Sequence, residues 1–231
     1  MDQSVERLAK TGKLGICAID FGPDFFAYWI GTLSLEDRNR DGSLVTVNAW
    51  GLERPSMLGD AKQQKDTMWR ERALREIIKK EPKHTLVNLY DTELQNPMGV
   101  EYAPGKRRPG NAVTYGMSRA FSMYIETKNE NLPLQDHKQV VSTHPVQKFN
   151  TFGVHLPSLG SASQRKYRRK RASVAFVKSY LQNYPHEGAR WSHVLEQHKQ
   201  KQDDLADVFW AGLSRAVRVF RQCNKRKKNK F

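Results

Sequence analysis

The stretch KLGICAIDFGPDFFAYWIGTLSL, Lys13 to Leu35, holds two apolar runs broken by a Gly-Pro-Asp turn, and its reading decides the class of the fold. KLGICAIDFG, Lys13 to Gly22, reads as a buried strand ending in Asp20 and a turn. FFAYWIGTLSL, Phe25 to Leu35, follows as a second strand. Beyond it EDRNRDGS supplies turn signals before LVTVNAWGL, a third strand. Strands joined by connections this short form an antiparallel meander.

Further along, DAKQQKDTMWRERALREIIKKE, Asp60 to Glu81, has the spacing of an amphipathic helix stopped by Pro82. HTLVNLYDTELQ reads as a fourth strand, GVEYAPGKRRPGNA as a basic Gly/Pro-rich loop, and AVTYGMSRAFSMYIET as a second helix. KQVVSTHPVQKF is a fifth strand with a loop after it. SQRKYRRKRASVAFVKSYLQNY is a basic-then-apolar helix closed by Pro185. A last helix follows, in which Leu205, Val208, Phe209, Leu213, Ala216, Val217 and Phe220 recur at helical spacing. This order predicts an α/β fold with a mixed sheet of five strands, three antiparallel and then two parallel, flanked by helices. Residues 1–12 read as a polar leader, 13–222 as one domain, and 223–231 as a basic tail.

The chain has 231 residues, 38% hydrophobic and 10% aromatic, enough to build a real core. Lys and Arg number 39 against 24 Asp and Glu, a formal net charge of +15, which points to a polyanionic partner with nucleic acid first. Two cysteines form neither a disulfide framework nor a zinc spacing. No run reaches the length of a membrane span, and no Gly-rich phosphate loop supports a nucleotide cofactor. An intracellular location with the DNA is expected.

In this basic chain the last helix begins KQDDLAD, with Asp203, Asp204 and Asp207 in its first turns. One carboxylate caps a helix N-terminus well. Three repel one another, and a divalent cation relieves that repulsion. Asp20 and Glu93 lie near the C-terminal ends of predicted strands, where open α/β sheets place their sites. A helix packed beside those ends would bring its carboxylates to the same point. Asp204 and Asp207 share a helical face, but so do Asp203 and Asp207, and Asp91 shares the strand face of Glu93.

ICAID in the first strand, TELQNP after the fourth, STHPVQKF after the fifth, YRRKRASVAFVKSYL in the basic helix and then DDLAD occur in an order that resembles the RuvC-type Holliday junction resolvases. The branch found in poxviruses and related large DNA viruses is the most similar, over roughly Lys13 to Phe220. The resemblance implies an RNase H-like fold and a homodimer that nicks four-way DNA junctions symmetrically. It implies two Mg²⁺ ions per site, with Mn²⁺ as a substitute, held by Asp20, Glu93, Asp204 and Asp207. The D-x-x-D pattern selects Asp204 over Asp203. Lys148 matches a position beside the scissile phosphate. Nucleases for flaps, other branched DNA or RNA–DNA hybrids, and a non-catalytic branched-DNA binder, are the alternatives.

The candidate DNA contacts are Arg165, Lys166, Arg168, Arg169, Lys170 and Arg171 on the basic helix, with Lys106, Arg107 and Arg108 on the loop. Charges this dense destabilise an isolated helix, and a polyanion would relieve the strain. Tyr167 is expected to cover the core, with base stacking as its other use. The tail is expected to be disordered and to add non-specific affinity.

Overall fold

The computed structural model describes residues 2–21, 25–36, 42–53, 85–89, 122–134, 137–143, 147–156 and 160–228. The helix expected over Asp60 to Glu81, Glu93 and Asp91, and the loop with Lys106, Arg107 and Arg108 lie outside the described residues.

Strands β1 (Lys13–Phe21), β2 (Phe26–Ser34) and β3 (Val45–Glu53) form the antiparallel meander. β4 (Thr85–Leu89) and β5 (Gln139–Thr143) add in parallel on the other side of β1, and the sheet order is β3-β2-β1-β4-β5. The register of β2 on β3 shifts between Ile30 and Gly31, as at a bulge.

Residues 2–12 are more than a polar leader. Gln3–Thr11 form helix α1, capped by the Asp2 carboxylate on the Ser4 amide and ended by Gly12 in the left-handed region at φ 72°. Val5 and Leu8, one turn apart, are buried. Two apolar positions are too short a pattern to read from sequence, but they suffice to dock the helix. The buried Arg215 guanidinium donates to Asp2 Oδ1 at 2.9 Å and to Ser4 Oγ at 3.0 Å, and Ser4 Oγ donates to Gln139 Oε1 at 2.8 Å. The N-terminus is thereby tied to β5 and to the last helix.

Helix α2 spans 122–130, and α3 (Gln147–Thr151) carries Lys148 on a helical turn where a loop was expected. Helix α4 (Ala162–Asn183) opens with a capping box in which Ser161 Oγ accepts from the Gln164 amide and the Gln164 side chain accepts from the Ser161 amide. Pro185 stops α4 and also starts α5 (Pro185–Gln197), in the first-turn position where its missing N–H is harmless. The last helix, α6 (Gln202–Lys228), runs into the segment expected to be a disordered tail. Cys223 is buried in the core cluster, so the fold continues past residue 222.

From Leu205 to Ala216 every residue of α6 except Asp207 and Gly212 has its side chain packed away from water, because the sheet covers one side and α4, α1 and α3 cover the others. Trp50 Nε1 donates to the Leu205 carbonyl at 3.0 Å. Phe209 meets Trp50 and Trp29 edge-on at 4.9 and 5.9 Å between ring centroids, and Trp210 stacks on Phe176 at 4.1 Å. No described helix is long and apolar enough to cross a membrane.

The Trp29 indole lies against two glycines, Gly31 on its own strand and Gly212 on α6. A Cβ at either would fall inside the ring. Gly212→Ala adds roughly 1 kcal/mol of helix propensity, yet the overpacking should outweigh it. The expected outcome is a net loss of about 1–3 kcal/mol, read as a lower urea midpoint at unchanged slope.

Candidate active site

On β1, Leu14, Ile16 and Ala18 belong to the cluster packed against α6, while Cys17 and Ile19 are buried outside it. Period-two alternation puts Asp20 next on the α6 side, one residue before the strand ends. Its neighbours across the sheet are Ala27 on β2 and Leu89 on β4. Glu93 is four residues beyond the end of β4 and outside the described residues.

The first turns of α6 supply the other carboxylates. Asp204 and Asp207 both act electrostatically on Asp20, and Asp203 is not among the groups that move it. Burial, reinforced by the repulsion of Asp204 and then Asp207, pushes the Asp20 carboxyl up from 3.8 to about 7, against the pull of Lys148 and Lys170. Asp204 is also raised, by burial and then by Asp203, with Lys170 and Lys201 opposing. Asp204 and Asp207 thus share a field with the strand carboxylate. Asp203 turns instead to Lys170.

Each carboxylate of α6 has an ammonium partner. Lys148 Nζ donates to Asp207 Oδ1 at 2.5 Å from a side chain only 4% exposed. Its ammonium also lies 5.4 Å from the Phe149 ring centroid and 5.8 Å from that of Trp210. Lys170 Nζ pairs with Asp203 Oδ2. Burial works against the Lys170 charge, but the Asp203 hydrogen bond and the surrounding carboxylates hold its pKa above the ordinary value. Lys201 Nζ reaches Asp204 Oδ2 at 3.8 Å and sits 4.1 Å from the Phe25 ring centroid. Among the described residues, Asp20 has no ammonium or guanidinium within ion-pair distance, and no three His, Cys, Asp or Glu side chains are placed to share one metal ion.

The basic run lies on the first three turns of α4. Arg165, Lys166, Arg169 and Arg171 are exposed, whereas Arg168 and Lys170 are partly buried. Arg165 donates to the Gly160 carbonyl at 2.6 Å. Tyr167 is 62% exposed, so it does not cover the core. The helix ends in water at its basic end because the sequence from Arg165 to Arg171 offers the core no aliphatic residue. His155 is exposed, while His144 lies outside the described residues. Lys201 was not singled out in the sequence; its signal was the three-residue spacing to Asp204. The role of Lys170 as the partner of Asp203 was hidden because the pair bridges two helices.

No family model matches the chain, and no curated protein matches it. Among solved structures, the fold is similar to that of fowlpox virus resolvase in complex with substrate Holliday junction DNA, with a TM-score of 0.51 and 16% identity over 89% of this chain and 99% of that one. The fowlpox virus Holliday junction resolvase without DNA is similar at a TM-score of 0.47 and 15% identity, over 87% and 96% of the two chains. The likeness to the DNA complex is one of fold, and it extends over nearly the whole of both chains.

Proposed function

We propose that this chain is an RNase H-like, metal-dependent endonuclease that resolves four-way DNA junctions. The observation that carries the reading is that Asp204 and Asp207 both act on the Asp20 carboxylate at the end of β1, while Asp203 beside them is bonded to Lys170 on the cationic end of α4. The similarity to the fowlpox virus resolvase supports four-way DNA as the substrate.

Carboxylate oxygens are hard donors suited to Mg²⁺, with Mn²⁺ as a substitute. The repulsion that drives Asp20 to about 7 is the kind a divalent ion removes, and such an ion would have to draw together carboxylates that the described residues do not yet bring around one point. Asp20, Asp204 and Asp207, with Glu93 as the fourth carboxylate, would hold two ions. Bound there, such ions supply a nucleophile from water at neutral pH and charge compensation for the leaving oxygen. The residues of the chain do the rest. Lys148, wedged between Asp207 and two aromatic rings, fixes the orientation of that carboxylate and keeps a positive charge beside the incoming phosphate. Asp203 holds Lys170, and with it the basic helix, against the site. Arg165, Lys166, Arg168, Arg169 and Arg171, with Lys106, Arg107 and Arg108, hold the DNA backbone, so recognition is dominated by shape and charge. A homodimer would present two such sites to the symmetric strands of a junction. The protein would act wherever that DNA resides.

With a labelled four-way junction and a matched duplex in Mg²⁺, the expected result is paired nicks in the junction only, abolished by EDTA. Asp204→Asn is expected to reduce cleavage at least roughly 100-fold, since ligand loss should exceed the effect of losing an outer hydrogen-bond partner, while the junction Kd changes little. Binding without nicks in either metal would leave a branched-DNA-binding protein.

The raised pKa of Asp20 sets a sign for stability. In the unfolded chain the carboxyl ionises near 3.8, and in the folded, metal-free protein near 7. The neutral carboxyl therefore stabilises the fold fully below pH 4, and this contribution is lost as pH rises through 7. In EDTA at pH 8, Asp20→Asn should raise the stability by on the order of 1–3 kcal/mol, and at pH 4 the difference should vanish. Thermal unfolding against pH checks this. Mg²⁺ should raise the Tm of the wild-type protein at pH 8 and do so much less in Asp20→Asn.

A further inference from the structure

Tyr167 is the large aromatic residue that the core leaves uncovered at the basic end of α4. Six of the seven residues from Arg165 to Arg171 are cationic and Tyr167 is the seventh, and α4 contains no carboxylate. Tyr167 precedes Val174 by seven residues, and Val174 precedes Leu181 by seven. Each step is about 20° short of two full turns, so all three occupy one side of the helix. Val174 packs on the core and Leu181 is buried. Tyr167 continues that side beyond the end of the core, where it is 62% exposed. Lys170, three residues on and about 60° around the helix, is held by Asp203 at the first turn of α6. Tyr167 therefore sits one turn of α4 before the residue that joins this helix to Asp203. The Arg171 guanidinium carbon lies over the ring at 5.7 Å from its centroid, and the residue remains 62% exposed.

An exposed aromatic ring among six cations, of which Lys170 is paired with Asp203, matches a polyanion that carries flat π-faces. A protein or lipid surface would satisfy the charge or the ring, but a nucleic acid satisfies both. Bases stacked within a duplex are closed to such a ring, whereas a base unstacked at a branch point is open to it. We propose that Tyr167 is a stacking platform for an unstacked base next to the cleaved phosphate, and that it helps the protein to prefer branched over linear DNA. This rests on the reading that the chain engages branched DNA, and adds a specificity residue to it.

The test compares wild-type protein, Tyr167→Ala, Tyr167→Phe and Lys166→Ala in EDTA at fixed salt. Kd is measured for a four-way junction and for a duplex of the same sequence, and emission is followed from 2-aminopurine placed beside the crossover. Tyr167→Ala is expected to weaken junction binding roughly tenfold with less than about a twofold change for duplex, and to lose the 2-aminopurine response. Tyr167→Phe, which keeps the ring, should behave as wild type. Lys166→Ala should weaken both DNAs alike and reduce the salt dependence. Equal effects of Tyr167→Ala on both DNAs, no effect on either, or a loss in Tyr167→Phe equal to that in Tyr167→Ala would overturn the proposal. Cleavage that depends on Asp204 alongside any of those results removes the stacking role alone. A junction-selective effect of Tyr167 in a protein that cuts nothing in Mg²⁺ removes the nuclease reading alone.

Discussion

Everything at the candidate site depends on how closely α6 approaches the sheet, and that distance is set by one indole. Trp29 lies against Gly31 beside it and Gly212 above it, and neither position has room for a Cβ. A glycine in the middle of a 27-residue helix is an intrinsic weakness of about 1 kcal/mol. Here it lets the helix backbone come down onto the ring. The Trp50 bond to the Leu205 carbonyl fixes the rotation and height of the same helix one residue after Asp204. With approach and rotation both fixed, the carboxylates of the first turns have a defined place relative to Asp20, and no loop conformation intervenes between them.

That rigidity explains how the fold tolerates repulsion. A loop carrying Asp203, Asp204 and Asp207 could swing each one into water. A helix buried on every side two residues later cannot, so the charges are answered locally, by Lys148, Lys170 and Lys201. These lysines come from α3, from α4 and from the turn before α6, and each ion pair also joins the element that carries it to the site. The Lys170 pair is the most consequential, since it ties a helix crowded with cations to the acidic centre. The basic end of α4 is destabilised by its own charges and by the positive end of its helix dipole. The capping box at Ser161 and the attraction of Asp203 offset part of that.

The parts of the fold that a sequence shows are those in which one element is periodic over its full length. The meander of β1 to β3, the apolar stripe of α6 and the charge run of α4 are of this kind, and so is the placement of Asp20 at a strand end. What escaped were relations of two residues or between elements. Val5 and Leu8 do not announce a helix, and Pro185 reads as a stop but also as a start. Tyr167 has the spacing of a core residue, and only the length of the body beneath α4 shows that the core ends before reaching it. The choice between Asp203 and Asp204 could not be made from helical spacing, because both share a face with Asp207. The bond from Lys170 to Asp203 crosses between two helices, so no spacing within one element announces it.

The similarity of this fold to a structure only 16% identical has a physical basis in the same division. A core requires apolar residues of suitable volume at the right period, and many sequences meet that requirement. Among the described residues, the tight positions that seat α6 on the sheet are glycine at 31 and 212, an indole at 29, and a donor at 50 for the Leu205 carbonyl. A chain that keeps such a frame can vary nearly everything around it. The charged residues of this site are held by the frame and do not build it. A substitution among them should therefore change what the protein binds or cuts long before it changes how the protein folds, and the removal of Asp20's charge should even make the metal-free fold stronger.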